Sequence, residues 1–214
     1  MLTNIKGAIF DLDGTLVDSM SVWRNIDFEY LSEKGHAIPD DFPGSISHMS
    51  FSQIAHYFKE RFNIEDSIEE ILQDWHNRAF DHYSNHVKLK PGAKEILSKL
   101  KESNIKIGLA TSNSMPLLEV CLKNNGIYDY FDTITVTDEV SRGKNFPDVY
   151  LLAAKKLKLD PKECVIFEDI LPAVQGAKSS GAKVIAVNDE DSTTSKEEFL
   201  EYADLYIDSF LELL

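Results

Sequence analysis

The stretch Ile5-Lys6-Gly7-Ala8-Ile9-Phe10-Asp11-Leu12-Asp13-Gly14-Thr15 decides the fold. Its first half is short and apolar and ends in acids, the pattern of a strand buried on both faces. The chain beyond it does not continue as strand and helix in turn. Ser19 to Lys34 carries Met20, Trp23, Ile26, Tyr30 and Leu31 on one helical face, and Gly35 lies where that helix stops. Ile38 to Ser50 holds Pro39, Pro43 and Gly44 and reads as a loop. Phe51 to Phe62 and Ser67 to Tyr83 are again helical, the second with Ile68, Ile71, Leu72, Trp75, Ala79 and Phe80 on one side.

From about His86 the pattern changes. Pro91 and Gly92 open a helix to Lys101, and strands and helices then alternate. The expected strands are Ile105 to Ala110, Ile134 to Val136, Val165 to Phe167 and Lys183 to Val187. Tyr206 to Asp208 reads as an edge strand before a C-terminal helix. Alternation of this kind builds a parallel sheet with helices on both faces. The expected fold class is therefore α/β, with residues 1–16 and 87–214 forming the core. Residues 17–86 form an all-α cap inserted directly after the first strand.

The chain of 214 residues has 22 basic and 36 acidic side chains, a formal net charge of −14. Such a chain has no general attraction for nucleic acid or anionic lipid, and it repels phosphate at long range. A phosphate site here needs local positive charge. The two cysteines, Cys121 and Cys164, lack metal-ligand spacing and read as reduced core thiols. There is no signal-like N-terminus and no apolar run of membrane-spanning length, so a cytoplasmic location is expected.

Ligands of open parallel sheets bind at the carboxyl ends of the strands. There the sequence places Asp11 and Asp13 after the first strand and Thr111-Ser112-Asn113 after the second. Lys144 comes after the third, and Glu168-Asp169 after the fourth. Each alone has an ordinary explanation as turn chemistry, helix capping or solvated charge. Together they crowd carboxylates at one edge, which repel unless a cation sits among them. A hard divalent ion bound through oxygen suits the set.

Four segments resemble the haloacid dehalogenase superfamily, in the expected order. They are Phe10-Asp11-Leu12-Asp13-Gly14-Thr15-Leu16-Val17-Asp18-Ser19, Ala110-Thr111-Ser112-Asn113, Gly143-Lys144 with Pro147-Asp148-Val149-Tyr150, and Phe167-Glu168-Asp169. The chain is most similar to the β-phosphoglucomutase-like and phosphoglycolate-phosphatase-like members. That resemblance implies a Rossmann-like core and a Mg2+-dependent hydrolase of a small phosphorylated substrate. It implies Asp11 as nucleophile, Asp13 as proton carrier, and Lys144 and Thr111 supporting the phosphoryl group. Ser112 and Asn113 would add phosphate or substrate contacts. The metal would be held by Asp11, the Asp13 backbone carbonyl and Asp169, with Glu168 as direct or outer ligand.

The fourth motif departs from close relatives, which continue with serine and glycine where Ile170 and Ala173 stand here. The cap departs more tellingly. The histidine that mutases place in the first cap helix is Trp23, and the nearest match to their cap arginine is His48. Both positions are candidate substrate contacts, and both favour a phosphatase over a phosphosugar mutase. A receiver-type signalling domain shares the acids, hydroxyl and lysine but has no helical insert. A non-catalytic regulatory protein would not need both Asp11 and Asp13. A monomer is the default expectation.

Overall fold

The computed structural model describes residues 5–37, 39, 46 and 49–214. Six parallel strands form the main sheet: β1 (Gly7–Phe10), β4 (Lys106–Thr111), β5 (Thr133–Val136), β6 (Cys164–Glu168), β7 (Lys183–Val187) and β8 (Leu205–Ile207). Their order is β5-β4-β1-β6-β7-β8. The chain builds outward from β1 through β4 to β5, then returns to the other side of β1 for β6, β7 and β8. The carboxyl ends of β1, β4 and β6 thus meet at the point where the direction of building reverses, the place where such sheets bind ligands.

The two faces follow the period of two residues that strands impose. Ala8, Phe10, Val165 and Phe167 enter one core cluster. Ile9, Cys164 and Ile166 enter the other. Phe10 and Phe167 are register partners, and their rings stack at 4.4 Å. Five helices accompany the sheet: α4 (Ala93–Glu102), α5 (Met115–Asn124), α6 (Asp148–Leu157), α7 (Leu171–Ser179) and α8 (Lys196–Leu200).

Between β1 and β4 lie α1 (Met20–Glu33), α2 (Phe51–Arg61) and α3 (Ile68–Asp81). The last two open with capping boxes, Ser50 with Gln53 and Ser67 with Glu70. Trp75 of α3 packs edge-on against Tyr30 of α1 at 5.8 Å and Phe58 of α2 at 4.7 Å. Where the chain enters and leaves this helical stretch, β2 (Val17–Asp18) pairs antiparallel with β3 (Lys88–Leu89).

Three details differ from expectation. The third helix ends at Asp81 and passes into a π-helical turn, His82–His86, which contains Tyr83. Phe80 does not join its core face and is 45% exposed. The C-terminal helix is only a short 3₁₀ turn, Phe210–Leu213, after an edge strand that starts one residue early.

Candidate active site

Asp11 and Asp13 leave the end of β1 on a turn that requires Gly14. Gly14 has φ +79°, and a Cβ there would stand 2.2 Å from Asp169 Oδ2. Side chains rarely adopt that backbone geometry. Having no Cβ lets the β1 turn settle against the carboxylate just past β6, and Thr15 Oγ1 donates to Asp169 Oδ1 at 2.7 Å.

Lys144 is buried and donates to Asp11 Oδ1 and, at 2.7 Å, to Glu168 Oε1. Tyr150 on α6 donates to the same Glu168 oxygen at 2.7 Å. The Lys144 loop lies tightly on α7. A Cβ at Gly176 would come within 2.0 Å of the Lys144 carbonyl oxygen. Burial opposes the ammonium charge, but the fields of Asp11 and Glu168 outweigh it and hold the Lys144 pKa above its ordinary value.

Oxygens of Asp11, Glu168 and Asp169 lie within 4.8 Å of one another, all buried. Burial raises the pKa of each, Glu168 to about 7; repulsion from Asp13 adds to this at Asp11, and repulsion from Asp11 adds at Glu168 and Asp169, while Lys144 opposes the rise at Asp11 and Glu168. Lys144 is the cation bonded within this trio. When all three are ionised, three carboxylates against one ammonium leave two negative charges, the complement of one divalent cation. Glu168 Oε2 is buried without a hydrogen-bond partner. A buried orphan oxygen in an all-oxygen, over-charged pocket fits a hard metal ion such as Mg2+.

Asp13 is held differently. Its Oδ1 accepts from Ser19 Oγ at 2.6 Å and from the Tyr83 hydroxyl, and its Oδ2 accepts from Asn113 Nδ2 at 2.8 Å. Ser19 stands at the N-cap of α1 but makes no capping bond with its side chain. Its hydroxyl serves Asp13 instead. Tyr83 is fully buried and also accepts from Trp23 Nε1 at 2.6 Å. A chain of hydrogen bonds thus runs from α1 through the π turn to Asp13.

Asp11, Asp13, Thr111, Ser112, Asn113, Lys144, Glu168, Asp169 and Trp23 all line one cavity of about 240 Å³ between the strand ends and the helical stretch. The contacts refine several expectations. The side chain of Asn113 serves Asp13 and its own turn, with Oδ1 accepting from Ser114 N at 2.7 Å. The Ser112 hydroxyl is buried without a partner, and its carbonyl accepts from Phe51 N at 3.2 Å. Trp23 spends its N–H on Tyr83, so only its ring faces the cavity, beside Phe51 at 5.5 Å. His48 lies outside the described residues. Arg24 is paired with Asp191 at the cavity wall.

Sequence patterns do not single out Thr15, Ser19, Tyr83 or Tyr150. Tyr150 sits in the third motif, where it reads as the start of a helix. Tyr83 lies 70 positions from Asp13, and no spacing rule connects them.

The model of haloacid dehalogenase-like hydrolases matches residues 8–187. Hexitol phosphatase A of Escherichia coli is 32% identical over 183 residues, spanning 86% of this chain and 83% of the relative. The bifunctional riboflavin kinase/FMN phosphatase of Arabidopsis thaliana is 31% identical over 206 residues, 96% of this chain but only 53% of that longer protein. A β-phosphoglucomutase crystal structure from Clostridium difficile superposes with a TM-score of 0.83 at 26% identity, covering 98% of this chain and 93% of that one. The chain belongs to the haloacid dehalogenase-like hydrolase family, within its β-phosphoglucomutase-like group. Among the described residues, no helix is long and apolar enough to cross a membrane.

Proposed function

We propose that this enzyme hydrolyses a small phosphorylated metabolite through an aspartyl-phosphate on Asp11, with a divalent metal in attendance. At the coarser level it is a phosphoric monoester hydrolase, as its family and its phosphatase relatives indicate. The observation that carries the finer reading is Asp11 itself, buried at the end of β1 with one oxygen bonded to Lys144 and with Asp13 two residues on.

Each residue has a distinct task. Asp11 attacks phosphorus, so one difficult displacement becomes two easier ones. Asp13 protonates the departing oxygen and then takes a proton from the attacking water. Ser19, Tyr83 and Asn113 aim its carboxylate. Thr111 Oγ1 accepts from Asn113 N at 3.0 Å, which leaves its proton free to donate to a phosphoryl oxygen. Lys144 lowers the negative field at Asp11. Asp11, Glu168, Asp169 and the Asp13 carbonyl would hold Mg2+, which supplies charge neutralisation for the phosphoryl oxygens. Fixed charges of this kind suit the loose transition states of phosphoryl transfer.

Residues 17–86 serve as a lid that excludes water while Asp11 reacts. Its hinges are Val17-Asp18, which is β2 itself, and His86-Lys88, which leads into β3. Water is favoured over a sugar as acceptor because the position that mutases fill with histidine holds Trp23, whose N–H is already engaged. The test is Mg2+-dependent phosphate release from an aryl phosphate by wild type and Asp11→Asn. Release by wild type and loss of at least about 10³-fold in the variant are expected, a magnitude on the scale of removing a nucleophile. Equal rates would refute the assignment.

A further inference from the structure

Among the described residues six acids line the cavity, and five of them have partners. Asp11 and Glu168 bond Lys144, Asp169 accepts from Thr15, Asp13 has its three donors, and Asp191 pairs with Arg24. The sixth, Asp27, has no hydrogen bond or ion pair among the described residues. It stands on α1 one turn after Trp23. Met20, Trp23, Arg24 and Asp27 are spaced as one helical stripe, and all four line the cavity. Ile26, Tyr30 and Leu31, beside and beyond that stripe on the same helix, are buried in the core.

Among the described residues, the cavity that Asp27 lines is bounded largely by apolar side chains, Trp23, Phe51, Trp75, Ile54 and Met49, and the neighbouring Arg24 is paired with Asp191. Such a wall suits a polyhydroxylated leaving group badly, because each buried hydroxyl without a partner costs about 1–3 kcal/mol. It suits one positive charge well. Aromatic faces attract cations, and a lone carboxylate in an apolar wall gains most from an opposite charge. Burial pushes the Asp27 carboxyl up to about 7, the mark of a carboxylate short of a counter-charge. The net charge of −14 repels a phosphate ester bearing such a cation less than it repels an ester without the cation.

We infer that the leaving group of the substrate carries one cationic nitrogen on an otherwise apolar body, and that Asp27, among the aromatic rings of the cavity, recognises it. The substrate class is then a zwitterionic phosphate ester, an amino-alcohol phosphate or its quaternary equivalent. This rests on the phosphatase reading. The phosphoryl group sits against Asp11 and Lys144, and the cation lies toward α1.

The test compares kcat/KM of the full chain with magnesium on phosphocholine and on its uncharged dimethylbutyl isostere, with p-nitrophenyl phosphate and sorbitol phosphate alongside. Cleavage of the cationic ester about tenfold or more faster than its isostere is expected. Asp27→Asn should bring that ratio close to one. A wild-type ratio near one, a ratio untouched by Asp27→Asn, or preference for the hexitol ester would overturn the inference while leaving the phosphatase reading intact. If no ester is cleaved, the aryl phosphate included, the phosphatase reading falls and this inference with it.

Discussion

Gly176 sits inside α7, where helix propensity alone says that alanine is better by about 1 kcal/mol. The structure predicts the opposite sign for Gly176→Ala. The new Cβ would lie 2.0 Å from the Lys144 carbonyl oxygen, 2.9 Å from Asn145 C and 2.9 Å from Phe146 O. These are backbone atoms, and ordinary contact begins near 3.4 Å, so the loop must retreat by roughly 1.4 Å. Overpacking of this kind costs about 1–3 kcal/mol. The retreat also draws Lys144 from Glu168, now 2.7 Å away, and from Asp11. Misplacement by about 1 Å costs on the order of 10²-fold in rate. Urea unfolding followed by circular dichroism, with Mg2+-dependent phosphate release on the same samples, measures both effects. A variant that is more stable by about 1 kcal/mol and fully active would refute the claim that Gly176 exists to admit the Lys144 loop.

Tyr83→Phe removes one of three donors on Asp13 and should lower kcat about tenfold with KM little changed, since a hydrogen bond to a charged group is worth about 1.5–3 kcal/mol; steady-state kinetics on an aryl phosphate decide it. Lys144→Met leaves Asp11 and Glu168 buried without their cation, and a loss of about 3–5 kcal/mol in metal-free denaturant unfolding is expected. Burial pushes the Cys121 thiol up to about 12 and the Cys164 thiol up to about 11, from an ordinary 9.0. The folded state therefore favours the protonated thiols, so their contribution to stability is full below about pH 9 and is lost as pH rises toward 11–12. Melting temperatures between about pH 8 and 11 should fall less steeply for Cys121→Ala than for wild type, and native-state alkylation near pH 7 should be slow for both thiols.

The core is legible in the sequence because its chemistry is local to strand ends. Gly7 to Phe10 is apolar throughout and the acids begin at Asp11, so buried strand and acidic turn are written side by side. Thr111, Glu168 and Asp169 share that logic, whereas Lys144 stands eight residues past the end of β5. The fourth motif misleads in one detail. The glycine expected at position 173 is alanine, and the glycine that admits the Lys144 loop is Gly176, nearly one turn on. Residues acting across the cap boundary are not legible. Tyr83 reaches Asp13 only because the period of α3 widens into a π turn, and local hydrophobic spacing does not forecast that. Ser19 is a helix cap by position, but its hydroxyl serves Asp13, and nothing in the local pattern signals that. No sequence pattern singles out Asp27, and only its place in the cavity wall gives it a meaning.

The pairing of Val17 with Leu89 and of Asp18 with Lys88 brings the two ends of the helical excursion side by side. Opposed residues of an antiparallel pair lie only about 4.5–5.5 Å apart, a gap that a two-residue turn spans. The sheet therefore has no need of the helices to close its own chain path. A different insert of any size, or a tight turn, can be joined at the same two points without shifting β1 or β4. The scaffold that holds Asp11 and the helical stretch that covers it are in this sense separable along the chain.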